Sequence, residues 1–209
     1  MKITYYGHAC FKLDEVEHSV LFDPYADNSV PGLTLPKKIV VDAVYCSHSH
    51  DDHNASDLVK SRKMNPWPHD FMTVPHDHDN GAKRGYSAVA FLKINNTKIV
   101  HLGDIGRIPT DDEYKKLSDT NVLMIPVGGF YTIDATEAKQ IIDTIHPNLT
   151  ILMHYKDGSI GYDVLEDIQN IQTIIPNVER YDSSSIEITD QLLSESHIIT
   201  LKPIQKIQG

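Results

Sequence analysis

Residues 47–53 read Ser-His-Ser-His-Asp-Asp-His, directly after the apolar run 39–46. Imidazole is the commonest metal ligand among side chains, and zinc accepts carboxylate oxygen beside it at about 2.0–2.2 Å. If the apolar run is a buried strand, the polar residues after it lie in a loop at a sheet edge. Side chains on extended backbone repeat every two residues, so His48 and His50 point the same way and can grip one cation together. Asp52 and His53 follow as the chain turns and can aim at a second cation, since paired ions sit about 3.5–4 Å apart. Four candidate ligands fall within six residues. A solvated polar loop gives no reason for that density.

Two ions need more ligands than this loop holds. His76 and His78 follow the apolar run 71–75, Asp104 ends the run 98–103, and His154 ends the run 149–153. Each stands where a strand-like run gives way to a loop, the usual place for a site in α/β proteins. Gly103 lets the backbone beside Asp104 approach its neighbours closely. His76 and His78 follow one strand at a spacing of two, so strand geometry leaves the choice between them open.

The elements that must position these groups are legible from periodicity. Alternating and β-branched runs predict strands near 2–6, 9–14, 18–23, 39–46, 70–75, 86–94, 97–102, 121–127, 148–154, 184–189 and 196–201. Helical spacing predicts helices over 134–145 and 163–174, with shorter ones over 55–62 and 110–118. The early chain is nearly all strand, and helices then alternate with strands, which predicts α/β layering. Proline and glycine gather at 24–36 and in the loop-rich stretch 63–85. Repeats and low-complexity segments are absent, and one domain over 1–209 is expected.

Composition narrows the classes. The chain has 209 residues, 40% hydrophobic and 23% charged, with two cysteines. That length buries about two-thirds or more of the unfolded surface, enough for a large core. Disordered, collagen-like and disulfide-scaffold readings are excluded. The formal charge of -10 repels phosphate backbones, so nucleic acid is not an expected partner. No apolar stretch of about 18 residues predicts a membrane span, and MKITYYGHACF carries no secretory signal. Cys10 and Cys46 form no CxxC pair, and a cytoplasmic protein with two reduced thiols is expected. The outstanding number is 12 histidines, six of them between His48 and His78.

The HxHxDH motif at 48–53, a single His after a strand, the Asp of His101-Leu102-Gly103-Asp104 and the His of Met153-His154-Tyr155 resemble the metallo-β-lactamase superfamily. More narrowly, Gly7-His8-Ala9, Pro126-Val127-Gly128-Gly129, Thr132-Ile133-Asp134 and the His-Asp…Arg-Gly segment at 76–85 resemble small hydrolases similar to L-ascorbate 6-phosphate lactonase. The resemblance implies an αββα sandwich with a binuclear site at one edge. It implies a first ion on His48, His50 and His76, a second on Asp52, His53 and His154, and Asp104 bridging. The register of the narrower pattern, His76-Asp77 followed by Arg84-Gly85, selects His76 over His78, which becomes a rim group.

Such a centre implies a metal-dependent hydrolase of small molecules. A hydroxide between two divalent ions, zinc first with manganese or iron as alternatives, would attack an ester, lactone, amide or phosphoester. Asp52 would both ligate and orient that nucleophile. His8 is a candidate to protonate a leaving group or hydrogen-bond substrate. Asp23, ending the run 19–22, reads either as the partner that orients a ligand histidine or as an Asp-Pro turn former. Arg84 reads as an anchor for a substrate anion or as a loop salt bridge. Tyr131, Thr132 and Tyr155 are candidate pocket linings, and His101 a candidate supporting group. His18, His69, His146 and His197 read as structural or exposed, and Asp51 as solvated or a helix-capping acid. The competing readings are a di-iron redox enzyme, which the family places on a Glu where this chain has His50, a metal-dependent nuclease, and a non-catalytic metal-binding module.

Overall fold

The computed structural model describes residues 1–76 and 78–204, so Asp77 of the His76-Asp77 pair lies outside the described residues. In chain order the elements are β1 (Lys2–Gly7), β2 (Cys10–Glu15), β3 (His18–Phe22), β4 (Val40–Val41), β5 (Ala43–Tyr45), β6 (Lys60–Ser61), β7 (His69–Pro75), β8 (Tyr86–Ile94) and β9 (Thr97–His101). There follow α1 (Asp111–Leu117), β10 (Val122–Pro126), α2 (Ala135–Ile145), β11 (Leu149–Met153), α3 (Ile168–Ile174), β12 (Val178–Arg180), β13 (Ser185–Glu187) and β14 (His197–Thr200).

Two sheets stack face to face. One has the order β13-β1-β2-β3-β5, the other β12-β14-β11-β10-β9-β8-β7, and β4-β6 forms a small ribbon. The segment Val122–Pro126 is buried at every position because both faces of its sheet are covered. Its period-two alternation divides the work. Val122 and Met124 join the core between the sheets, with Phe11, Val20 and Ile151. Leu123 and Ile125 pack on the outer side against Leu117 of α1, Ile141 of α2 and Ile168 of α3. The outer face of the five-stranded sheet is covered by Tyr25, Val30, Leu33, Leu35 and Ile39. On that side the outer layer of the expected αββα sandwich is therefore the 24–39 loop with the short 3-10 turn Ser56–Leu58, not an α-helix. Among the described residues no helix is long and apolar enough to cross a membrane.

Some boundaries differ from the periodicity. The run 39–46 is broken at Asp42, a buried carboxylate that accepts hydrogen bonds from Ser19 N at 2.7 Å and Arg62 Nη1 at 3.0 Å. The helix expected over 55–62 does not form: past the 3-10 turn the chain extends, and Lys60 N and Arg62 N bond Ile39 O and Val41 O. A neighbouring strand with free carbonyls overrides weak helical propensity there. α3 begins at Ile168 rather than near 163, because Glu166 N and O are already paired with Gly128 O and Lys156 N, and Asp167 caps the helix. β12, formed by residues 178–180, has too little alternation to announce itself. Where helical spacing predicts helices, the Thr110–Glu113 and Asp134–Glu137 capping boxes start α1 and α2.

Candidate metal centre

In each sheet the odd-numbered strands that matter run the same way: β1 and β3 flank the antiparallel β2, β5 is parallel to β3, and β7 and β9 flank the antiparallel β8. β11 continues that direction through its parallel pairing with β10, itself parallel to β9. Their C-terminal ends deliver His8, Asp23, the 47–53 loop, His76, Asp104 and His154 to one edge of the sandwich. Two glycines permit the approach. A Cβ on Gly103 would stand 2.6 Å from Ser87 Oγ and 2.7 Å from Ala88 O, and one on Gly128 would stand 2.1 Å from His154 O. His8, Asp23 and His154 adopt positive φ of 57°, 42° and 56°. For a non-glycine residue this costs about 1–2 kcal/mol, and the packing around the site holds it. His154 N bonds His8 O at 3.0 Å, so two of these turns pin each other.

Asp104 is the hub. Its Oδ2 lies 3.2 Å from His76 Nε2, 3.3 Å from His154 Nε2, 3.4 Å from His53 Nε2 and 3.9 Å from His48 Nε2. Ligand atoms of His48, His50 and His76 lie within 4.8 Å of one another, and so do those of His8, Asp52, His53 and His154. A third such group, His48, His53 and Asp104, joins the two. Nε2 of His48, His53, His76 and His154 and Oδ1 of Asp104 are buried with no hydrogen-bond partner. A folded protein pairs nearly all its buried polar atoms, so five orphans converging on one point mark a missing cationic partner. The donor set, imidazole nitrogen with carboxylate oxygen, is what zinc, manganese or iron accept.

The supporting bonds orient the rings. Asp23 accepts from Ser47 N at 2.6 Å, from Ser47 Oγ at 2.7 Å and from His53 Nδ1 at 2.8 Å. Because the Ser47 hydroxyl proton goes to Asp23, His48 Nδ1 donates to Ser47 Oγ at 2.9 Å, which leaves its Nε2 lone pair facing inward. Carboxylate-supported imidazole of this kind fixes the tautomer of a metal ligand. Burial would lower the His53 pKa, but Asp104, Asp23 and Asp52 outweigh it and push it up to about 10. Burial lowers His48 to about 3 despite Asp104, and burial with His154 lowers His8 to about 4 despite Asp52. Burial opposes ionisation of Asp104, yet His154 and His53 hold it well below the carboxylate range. Within the cluster His8 and His48 are thus neutral rings and Asp104 an ionised carboxylate, while His53 is held cationic.

The structure gathers His48, His50, Asp52, His53, His76, Asp104 and His154 in one place and adds Asp23 beneath them in the orienting role. His8 is 3% exposed and sits under the site, its Nε2 3.2 Å from Asp52 Oδ2. His78 is elsewhere: its Nε2 pairs with Glu137 Oε2 at 2.8 Å at the start of α2. His101 faces the inter-sheet core, stacked on Phe22, and accepts from Gly103 N at 3.1 Å, so it shapes the turn before Asp104. Thr132 is fully buried, and Tyr155, also buried, lines a small cavity with Tyr5 and His8. His18, His69, His146 and His197 lie outside the cluster. At the rim Arg84 stacks over Tyr131, its Cζ 4.1 Å from the ring centroid. The residue that motif reasoning missed is Tyr162, whose hydroxyl lies 3.2 Å from Asp52 Oδ2 and 2.5 Å from Ser29 O. It stands in a glycine-containing loop with no local pattern to mark it.

Residues 2–154 match the family described as Beta-lactamase superfamily domain. The chain is 25% identical to a UPF0173 metal-dependent hydrolase of Methanocaldococcus jannaschii over 214 residues, covering 84% of this chain and 97% of that protein. It is 28% identical to a UPF0173 protein of Pyrococcus abyssi, covering 77% and 85%. A Thermotoga maritima structure assigned to the metallo-beta-lactamase superfamily superposes with a TM-score of 0.74 at 27% identity, covering 96% of this chain and 97% of that one. A metallo hydrolase from Ignicoccus hospitalis shares the fold, with a TM-score of 0.64 at 17% identity over 98% and 96%. With the family match spanning most of its length and the fold built around this His/Asp cluster, the chain belongs to the metallo-beta-lactamase superfamily.

Proposed function

We propose that this protein is a metal-dependent hydrolase acting on a small molecule through two divalent ions, zinc foremost, with manganese and iron fitting the same donors. The observation that carries the reading is the convergence of four unpaired buried imidazole nitrogens, Nε2 of His48, His53, His76 and His154, on the Asp104 carboxylate. His48, His50 and His76 would hold the first ion, Asp52, His53 and His154 the second, with Asp104 between them. The name borne by the M. jannaschii relative supports the same class. Bound there, divalent ions supply an acidified water as nucleophile and a Lewis acid for the electrophile's oxygen.

The chain's own groups do the rest. Asp23 holds His53, and through Ser47 it holds His48, so two ligands from one loop cannot turn away from the centre. Asp52 is the one carboxylate of the cluster with solvent access, its side chain 16% exposed against 2% for Asp104. It is the group placed to accept a proton from attacking water. His8, neutral and hydrogen-bonded to Asp52, is set to steady that carboxylate and to share its proton. Arg84, its Cζ 4.1 Å over the Tyr131 ring centroid, is the group we assign to an anionic part of the substrate. The bond attacked is an ester, lactone, amide or phosphoester; the narrower likeness to L-ascorbate 6-phosphate lactonase rests on sequence motifs alone. The compartment we propose is the cytoplasm, in keeping with two free thiols, Cys10 and Cys46.

The test is a panel of lactones, phosphodiesters, carboxylic esters and thioesters assayed with the protein as purified. Turnover of one class should vanish with chelator and return with Zn²⁺ or Mn²⁺. Turnover that persists in protein shown by elemental analysis to be metal-free would overturn the reading.

A further inference from the structure

We propose that Tyr162 is a positioning residue for the second ion: its hydroxyl, together with His8, holds Asp52 Oδ2 toward His53 and so sets how tightly that ion is kept, without being a ligand. The proposal rests on the two-ion reading above.

Asp52 is the ligand most in need of such help. It lies in a turn rather than on a strand, and its side chain is partly exposed, so nothing in its own element fixes the carboxylate. Two donors meet at one oxygen. His8 Nε2 and the Tyr162 hydroxyl each stand 3.2 Å from Oδ2, the same oxygen that lies 3.7 Å from His53 Nε2. His8 is immobile: it is buried, its carbonyl accepts from His154 N at 3.0 Å and from the Tyr5 hydroxyl at 3.1 Å.

Tyr162 is anchored from the other side. The Ser29 carbonyl, in the loop over the five-stranded sheet, lies 2.5 Å from the phenol oxygen and fixes where it stands. The ring meets His8 edge-on at 5.7 Å and Tyr131 edge-on at 5.9 Å. A phenol carries one proton, so it cannot donate fully to both acceptors. At 2.5 Å from the Ser29 carbonyl the proton lies toward that oxygen, and Asp52 Oδ2 at 3.2 Å takes the weaker, shared arm of the bond. Tyr162 thus ties the 24–36 loop, the segment after β11 and the metal loop together at Asp52. Partners of this kind behind a metal ligand typically change affinity by about 10–100-fold when removed.

The experiment compares wild type with Tyr162→Phe, which keeps the ring and removes only the hydroxyl. Both are loaded with Zn²⁺, dialysed against stepped chelator concentrations, and analysed for zinc per chain. The variant should lose one ion at a chelator concentration about tenfold lower than wild type and keep the other as wild type does. The same comparison in a His76→Ala background, where the first site is disabled, should show the same tenfold shift in the remaining ion. The melting temperature of the metal-free proteins is measured alongside, because a purely structural loss of the Ser29 bond would move that and leave zinc retention untouched. Retention of both ions at wild-type chelator concentrations, or loss of both together, would overturn the proposal while leaving the two-ion reading intact. Wild type holding fewer than two zinc ions would overturn both.

Discussion

Asp104→Ala offers the sharpest test of the metal centre. The carboxylate lies within 3.2–3.4 Å of three imidazole nitrogens belonging to both halves of the cluster. Its removal should therefore release both ions, whereas removal of a ligand to one ion should release that ion only. Metal binding stabilises the native state by mass action. One ion present at 100 times its dissociation constant contributes about 2.7 kcal/mol, so two contribute about 5 kcal/mol. For a chain of this size about 2–4 °C of melting temperature accompanies each kcal/mol, so zinc should raise the wild-type midpoint by about 10–20 °C. In His76→Ala the increment should fall to about half, and in Asp104→Ala to near zero. The readout is the zinc-dependent increment measured within each variant, since alanine at 104 also leaves a small cavity beneath the imidazoles that lowers the metal-free midpoint. Scanning calorimetry with and without zinc, paired with elemental analysis, measures it. An increment in Asp104→Ala as large as that of His76→Ala, or two zinc ions per chain, would refute the bridging position.

Other outcomes follow from the same geometry. His76→Ala should lose one ion and most turnover, while His78→Ala, which breaks only the surface pair with Glu137, should keep both ions; the reverse in elemental analysis would reassign the ligand. Asp23→Asn removes the charge that orients His53 and Ser47, and should weaken zinc retention by about 10–100-fold with little change in secondary structure by circular dichroism. His53, held at about 10 against an ordinary 6.5, carries an imidazolium in the metal-free protein at neutral pH. Because that pKa is raised, its contribution to metal-free stability is complete below pH 6.5 and is lost as pH rises toward 10. Zinc must expel that proton, so titration calorimetry at pH 8 in two buffers of different ionisation enthalpy should show release of about one proton, and no release would contradict the assignment.

Much of the candidate site was legible because its residue types point to one chemistry, metal ligation. A cluster of histidines and aspartates at the ends of apolar runs has few other uses, and His48, His50, Asp52, His53, Asp104 and His154 could each be named from their place after a strand. Short continuous apolar runs, such as Val122–Pro126, and helices opened by a capping box, such as Ala135–Ile145, also follow from local chemistry. Where local signals were weak the tertiary structure ruled. The chain over 55–62 extends because the carbonyls of Ile39 and Val41 needed donors, and α3 starts late because Glu166 is bonded to two other segments.

The choice between His76 and His78 shows the division most clearly. Spacing of two makes them equivalent on an ideal strand, but the strand ends at Pro75, His76 N bonds Gly85 O, and the chain then turns away. His76 is thereby buried against Asp104 while His78 is carried out to Glu137. The orienting groups depend on the same long-range placement. Asp23 could be an Asp-Pro turn until Ser47 and His53 are seen to donate to it, and Tyr162 has no motif at all until it meets an aspartate 110 residues away. The candidate ligands are marked by the chemistry of single residues and their neighbours along the chain. Which groups brace those ligands is decided by contacts between loops distant in sequence, and local patterning leaves them ambiguous, as at Asp23, or unmarked, as at Tyr162.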